Sequence, residues 1–418
     1  MTELTNQRTN KLTFKLNREQ VLSLIFFAGG LFIILLATWK VQPGDVSSFT
    51  RYGKGEPLVD LPSRATMWAL GAFCLFAAAY QWVRGAQGTG LAAGLVGFFL
   101  VTALLVWATR GVGDSLSLFA MLRESIIRAT PLILGALSGL WCERSGVVNI
   151  AIEGMMLSGA FTAVAATSMS GSPWVGIVAA ILTGGLMAAL HAVLSIKYKV
   201  DQIISGTVIN ILAVGATRYL NIRLLTPSGN NAPGTFKTIA VPGLSKIPVI
   251  GPMFFDHQPT VFLMFILVAA VAIIFAYTPW GLRTRAIGEH PRAADTLGVH
   301  VNRMRYINVL IGGMIAGIGG AYFSLGEVGR FEDSMTNGKG FVALAALIFG
   351  KWTALGGMAA GLLFGFADAL QNKMQILKVG IPPEFLQMTP YILTVIVLAG
   401  VIGRAIPPAA VGKPYEKQ

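Results

Sequence analysis

The sequence predicts an all-α fold: a polytopic transmembrane bundle of about 10–12 helices, one or more of them broken or re-entrant. Three observations carry that reading. First, 54% of the 418 residues are hydrophobic and only 12% are charged, where a soluble domain carries about 25%. Mean hydropathy is correspondingly high, at +0.66. Second, the apolar residues fall in continuous runs of about twenty, the length that crosses a hydrocarbon core, whereas barrel strands would alternate over about ten. Third, glycine is abundant, with 49 residues against 19 prolines, and small residues let membrane helices approach closely. A water-soluble enzyme, a disordered chain and a collagen-like fibre are excluded.

The elements follow in order. Residues 1–20 are polar and carry Arg8, Lys11, Lys15 and Arg18. The apolar run Val21–Trp39 comes next. It is too long for a signal core and no small-x-small cleavage site follows, so it reads as an anchoring span. Runs at 66–83 and 90–109 complete an N-terminal set, residues 1–110, of extra transmembrane segments. The core is residues 111–418. Its first segment, 114–144, starts amphipathic with Arg123, Glu124 and Arg128, then turns apolar from 129 to 142. Further runs lie at 147–168, 174–196, 202–220, 259–279, 305–326, 341–352, 354–371 and 386–403, with 341–352 too short to span unaided. Two connections are long. Residues 221–258 are rich in Pro, Gly and Asn and should lie over the outer mouth. Residues 281–305 carry a motif of their own.

Net charge is +13, from 32 basic and 19 acidic residues. The basic residues are scattered through short loops rather than gathered in a patch, so nucleic acid is not the partner. A lipid bilayer explains them better, because Lys and Arg are retained on the cytoplasmic side. With the N-terminus inside and sides alternating, the inner segments hold 17 Lys and Arg in 81 residues, nearly twice the outer density. Both termini of this multi-pass membrane chain are therefore placed in the cytoplasm. Cys74 lies in an apolar run and Cys142 at the edge of one, so neither a disulfide framework nor a metal site is expected.

Polar residues inside the apolar runs are the candidates for a substrate path, because each needs a partner or water there. Glu153 follows Asn149 by four positions, which on a helix gives one face, beyond a break at Gly146. Either the two line the path, or Glu153 is locked to Arg144 or to neighbouring backbone. Gln202, Gly206, Asn210 and Thr217 form a polar and small stripe, lining the path or making interhelical hydrogen bonds. Gly357, Gly361 and Gly365 repeat every fourth residue ahead of Asp368, the pattern of a tight helix contact. Trp141, Phe341 and Trp352 suit interfacial anchoring better than stacking on a ligand. His191, within an apolar face, reads as a core or interhelical donor.

The inner loop reads WGLRTRAIGEHPRAADTLGVHVNRMR. Pro291 at a first helical position and Gly298 just past an end predict a two-turn helix over 291–297, with Arg292, Ala293, Ala294 and Asp295 on its surface. A short, alanine-faced helix on such a loop is either a docking knob or a solvated connector.

The stretch R-A-x-G-E-x-P-x-A-A-x-x-x-G in this loop resembles the coupling loop of ABC importer permeases of the branched-chain amino acid and ribose class. Upstream, LSGLWCERSGVVNIAIEGMMLSGAF resembles the helix–break–helix signature of that class, and its S-G-V-x-N-I-x-x-E-G-M-M form resembles the nucleoside-type branch. DQIISGTVINILA and GKGFVALAALIFGKW extend the match, which covers about 115–405, roughly 70% of the chain. Residues 1–110 add about three runs that shorter members lack. The resemblance implies a non-catalytic permease subunit moving nucleosides across a bacterial plasma (inner) membrane. Its partners would be a cytoplasmic ATPase, a second permease that is a paralogue, and an extracytoplasmic substrate-binding protein. Glu289, Pro291, Arg292, Ala293, Ala294 and Gly298 would then form the coupling element on the ATPase. Asn149, Glu153, Gln202, Asn210 and Asp368 remain the path candidates.

The chain carries no phosphate loop of its own. Lys339 and Lys351 each follow a glycine, but Asp333 and Ala345 stand where the first glycine of G-x-x-x-x-G-K-[ST] belongs. ATP and Mg²⁺ are accordingly expected on the partner ATPase, with no cofactor in this chain. Ribose or another simple sugar is the alternative cargo. An ion-coupled secondary transporter working through Glu153 and Asp368 is the alternative of another class. Inverted repeats would favour it, and no convincing self-similarity is visible. An intramembrane enzyme would need a catalytic constellation, and none is seen.

Overall fold

A computed structural model describes residues 17–50, 59–85, 89–110, 116–229, 231–248, 250–377, 382–388 and 405–416. The apolar run expected at 386–403 lies, beyond Met388, outside them. The chain forms two compact units that part between Ser117 and Leu118.

The first unit holds α1 (Arg18–Lys40), α2 (Ser63–Arg84) and α3 (Thr89–Thr109). Strands β1 (Val46–Thr50), β2 (Val59–Pro62) and β3 (Leu116–Ser117) form a small sheet in the order β2-β1-β3. β2 runs antiparallel to β1, with Val46 opposite Pro62, and β3 runs parallel to it, with Phe49 opposite Leu116. Ser47 ties this sheet to the helices through the Ser63 hydroxyl at 2.7 Å and the Val106 carbonyl at 2.6 Å. The outward faces stay apolar, with Phe73 and Phe76 exposed, as lipid-facing helices require.

The second unit opens with α4 (Leu118–Glu143), α5 (Ile152–Ser170), α6 (Pro173–Ala192) and α7 (Gln202–Leu220). A connection follows with short helices α8 (Thr226–Ser228) and α9 (Ile250–Phe254), and strands β4 (Ile239–Ala240) and β5 (Asp256–His257) paired antiparallel. Then come α10 (Pro259–Tyr277), α11 (Pro279–Glu289), α12 (Pro291–Thr296), α13 (Val301–Ala321), α14 (Lys339–Phe349), α15 (Ala354–Ile376) and α16 (Pro383–Gln387). α13 continues through Tyr322–Val328 in wider π-type turns, which often mark functional sites.

Among the described residues nine helices are long and apolar enough to cross a membrane: α1–α4, α6, α7, α10, α13 and α15. α5 is long enough but is studded with Ser, Thr and Gly, and it is walled by α6, α7 and α13. α14 has 11 residues, so it crosses only about half of a bilayer core at about 1.5 Å per residue. α4 and α13 form the centre, with most of their apolar length buried, whereas most of α10 is not. The glycine repeat of α15 packs on α4, where a Cβ on Gly361 would stand 2.5 Å from Ile133 Cγ1 and one on Gly365 2.5 Å from the Ser125 carbonyl. That is the tight contact the spacing predicts.

One local expectation is corrected. Asn149 and Glu153 do not share a helix face, because α5 starts only at Ile152 and residues 144–151 are non-helical. Gly146 sits at φ +91°, a left-handed conformation that ends α4's continuation. The i, i+4 rule therefore has no helix to act on at Asn149.

Candidate functional site

The α4–α5 break exposes backbone groups inside a membrane-embedded unit, where each unpaired group costs about 1–3 kcal/mol. Side chains from α6 and α7 satisfy four of them. Gln202 accepts the Val148 amide at 2.7 Å, and the His191 ring donates from Nε2 to the Val148 carbonyl at 2.9 Å. Asn210 accepts the Gly154 amide at 2.8 Å and donates to the Ile150 carbonyl at 2.9 Å. Two members of the α7 stripe, Gln202 and Asn210, thus bond to the backbone of the break and the start of α5, while Thr217 donates within its own helix to the Ala213 carbonyl at 2.7 Å. Asn149 is fully buried and points its amide nitrogen at Cys142 Sγ (3.3 Å) and Ser138 Oγ (3.4 Å).

The short helix α14 is gripped at both ends by residues flanking this break. At its start, the Glu153 carboxylate accepts the amides of Gly338 (2.8 Å) and Gly340 (2.7 Å) and the Thr336 hydroxyl (2.6 Å). Free amides at a helix N-terminus attract an anion, so the acid serves as the cap. Glycine is required at 340, since a Cβ there would stand 2.6 Å from the Glu153 amide nitrogen. Just past the other end, Glu143 accepts the Trp352 indole N–H at 2.5 Å. Arg144 donates to the Trp352 carbonyl at 2.9 Å and the Lys351 carbonyl at 3.5 Å. Lys351 and Trp352 have φ of +51° and +52°, a strained conformation for side-chain-bearing residues that these bonds hold in place. Glu153 is therefore locked to backbone rather than to Arg144.

Beside the start of α14 lie two adjoining cavities of about 250 Å³ each, which share Asn337, Lys339 and Asp368 in their walls. One adds Leu132, Phe364, Gln371 and Gln387, and the other adds Arg128, Pro131, Phe323 and Glu327. Asp368 pairs with Lys339 at 3.0 Å and Arg128 at 3.4 Å, and Arg128 also reaches Glu124 at 2.7 Å. Of the five path candidates, Asp368 alone lines this space. Gln202 and Asn210 bind the break, Asn149 is packed behind it, and Glu153 holds the helix whose first residue, Lys339, forms the wall. Among the described residues no group of three or more His, Cys, Asp or Glu could hold a metal ion.

Glu143, Arg305 and Lys339 take structural or wall-forming roles that the sequence alone does not assign. Lys339 follows a glycine and precedes an apolar run, which marks a helix start. Glu143 and Arg305 sit at run ends, where charges ordinarily meet water, so no sequence signal distinguishes them.

After α11, α12 forms over Pro291–Thr296 with Gly298 at φ +82°, as the Pro and Gly placement predicts. The expected surface is corrected at one position. Ala294 is buried and packs with Ile287, Val301, Met304 and Tyr415. A segment far along the chain covers this face, which local spacing cannot reveal. The open face carries Arg292, Ala293, Thr296 and Leu297, with Leu297 85% exposed. Glu289 accepts the Ala409 amide at 3.1 Å. Burial, and then the adjacent Asp295 carboxylate, push the Tyr415 phenol up, while the bond from Lys199 holds the Glu416 carboxyl below the ordinary range.

Residues 121–398 match the protein family described as the branched-chain amino acid transport system permease component. The chain is 43% identical, over 70% of its length and 95% of the relative's, to the guanosine ABC transporter permease protein NupQ of Bacillus subtilis. It is 41% identical, over the same shares, to the nucleoside ABC transporter permease protein NupC of Lactococcus lactis. It is 35% identical, over 63% of its length and 80% of the relative's, to the putative glucose ABC transporter permease protein TsgC13 of Haloferax volcanii. No solved structure matches the chain significantly.

Proposed function

The chain belongs to the family of branched-chain amino acid transport system permease components, and we propose that it is the membrane subunit of an ATP-driven importer of nucleosides. Its relatives at 43% and 41% identity are a guanosine and a nucleoside permease. The observation that carries the cargo reading is the wall of the paired cavities. A nucleoside offers a planar base with apolar faces and polar edges, and a ribose with hydroxyls. Asn337, Gln371 and Gln387 offer amides, Lys339 and Asp368 offer charge, and Leu132 and Phe364 offer apolar contact. The set suits a neutral solute, since Asp368 is already paired with Lys339 and Arg128.

The open face of α12, with Leu297 and Arg292 outermost, is the seat of the partner ATPase, which supplies ATP and Mg²⁺. A paralogous permease completes the path and an extracytoplasmic binding protein delivers cargo. Both termini then lie in the cytoplasm and 221–258 outside. Ion coupling is disfavoured because both oxygens of Glu153 are occupied by Thr336, Gly338 and Gly340.

The test is reconstitution of the chain with its ATPase, second permease and binding protein in vesicles. Guanosine uptake should require ATP and be blocked by other nucleosides but not by glucose. Uptake that follows an ion gradient without the ATPase overturns the reading, and glucose uptake without nucleoside uptake overturns the cargo.

A further inference from the structure

The segment 405–416 lies against four parts of the second unit at once. Against α11, the Ala410 amide donates to the Gly288 carbonyl at 2.8 Å and the Ala409 amide to Glu289. Against α12, Tyr415 closes the cluster around Ala294. Against the α4–α5 break, the Gly412 amide donates to the Gly146 carbonyl at 3.3 Å. Glu416 is ion-paired with Lys199, between α6 and α7.

Arg305 joins these contacts. It is among the largest fully buried side chains. Its Nε donates to the Ser145 carbonyl at 3.0 Å, in the break, and its Nη1 to the Lys413 carbonyl at 3.1 Å, in the segment. A Cβ at Gly146 would stand 2.6 Å from Arg305 Nη2, so the glycine that breaks α4 also makes room for this guanidinium. A buried charge held by carbonyls at fixed angles keeps its partners in register, because letting either go strands it.

We infer that 405–416 is a transmission strap, anchored by Arg305, which ties the α12 docking helix to the α4–α5 break. The inference rests on the importer reading for what docks on α12. A displacement of α12 pulls on Tyr415 and on the Gly288–Ala410 bond, and the strap passes it to Ser145 and Gly146. The break ends in Glu143 on one side and Glu153 on the other, and these two acids grip α14, whose first residue walls the cavity. The chain of contacts is continuous from docking face to cavity. Continuity alone does not prove coupling, so the proof must be energetic. Arg305 is a positioning residue in this scheme, since it touches no cargo.

The experiment uses the reconstituted full importer with Tyr415→Ala, Tyr415→Phe and Arg305→Met. Tyr415→Ala and Arg305→Met should keep nucleoside-independent ATP hydrolysis within about twofold while uptake per ATP falls about tenfold, the first by emptying the cluster under α12 and the second by removing the charge-assisted bonds to Ser145 and Lys413. Tyr415→Phe, which keeps the ring in the cluster, should restore coupling. Unchanged uptake per ATP in both variants overturns the inference, as does loss of hydrolysis and uptake in parallel, which marks a mere structural staple. Hydrogen exchange on the assembled complex gives a readout independent of cargo. Tyr415→Ala should raise exchange at 144–151 and 288–297 together, and a rise confined to 405–416 also overturns the strap. If the unmodified importer moves no nucleoside, the cargo reading fails on its own, while the exchange result still decides the strap.

Discussion

Glu143 and Glu153 hold opposite ends of one half-length helix: Glu153 takes the amides of Gly338 and Gly340 before α14, and Glu143 takes the indole of Trp352 after it. Both acids border the same eight-residue break, residues 144–151. α14, which packs on α4 and α15, is thus also held at both ends by residues next to the break.

Glu153→Gln removes the charge from the α14 cap and offers one acceptor oxygen where two are used. The loss should be about 1.5–3 kcal/mol, the worth of hydrogen bonds to a charged group. A lowered unfolding midpoint in detergent, with uptake reduced further than expression, is the expected result.

Asn210→Leu is close in volume but strands the Gly154 amide and the Ile150 carbonyl. Each buried orphan costs about 1–3 kcal/mol. Thermal unfolding should show it, and hydrogen exchange should rise at 148–154 before it rises elsewhere.

Asp368→Asn leaves Lys339 and Arg128 facing the cavity without their shared carboxylate. Transport should fall while assembly with the ATPase is retained, checked by co-purification and uptake on the same preparation. Asp368→Glu should recover part of the activity, since the charge returns with a longer reach.

Gly365→Leu forces a side chain into the α4–α15 contact, where a Cβ would stand within 2.6 Å of both the Ser125 carbonyl and Ala129. Overpacking of this kind costs about 1–3 kcal/mol or more. The expected outcome is poor yield of folded protein, read by size-exclusion chromatography.

Leu297→Asp and Ala294→Trp separate docking from folding. The first places charge on the open apolar residue of α12 and should weaken ATPase co-purification while leaving permease stability intact. The second drives a bulky ring into the cluster of Ile287, Val301, Met304 and Tyr415, and should lower stability even without the ATPase.

The bundle, the glycine contact of α15 and the short helix at α12 are legible in the sequence because each rests on local periodicity or on Pro and Gly placement. The polar stripe of α7 is legible as a stripe, but its targets are not, because Val148 and Ile150 present backbone and carry no signal in their side chains. Ala294 reads as a surface alanine until Tyr415, far along the chain, is brought over it. Arg305 reads as one more inner-side cation. Its burial depends on a glycine at 146 and carbonyls at 145 and 413, a coincidence of three distant segments. Asp368 stands out from the cost of a bare acid in a membrane, a physical rule that needs no neighbour.

The stitched break also sets an order of assembly. Val148 and Ile150 are synthesised before His191, Gln202 and Asn210, which bind them. A hairpin of α4 and α5 entering the bilayer alone would carry open amides and carbonyls into hydrocarbon. The hairpin must therefore wait in a wet or proteinaceous shelter until α6 and α7 arrive, and a stalled chain ending before residue 210 should be recognised and degraded as incomplete.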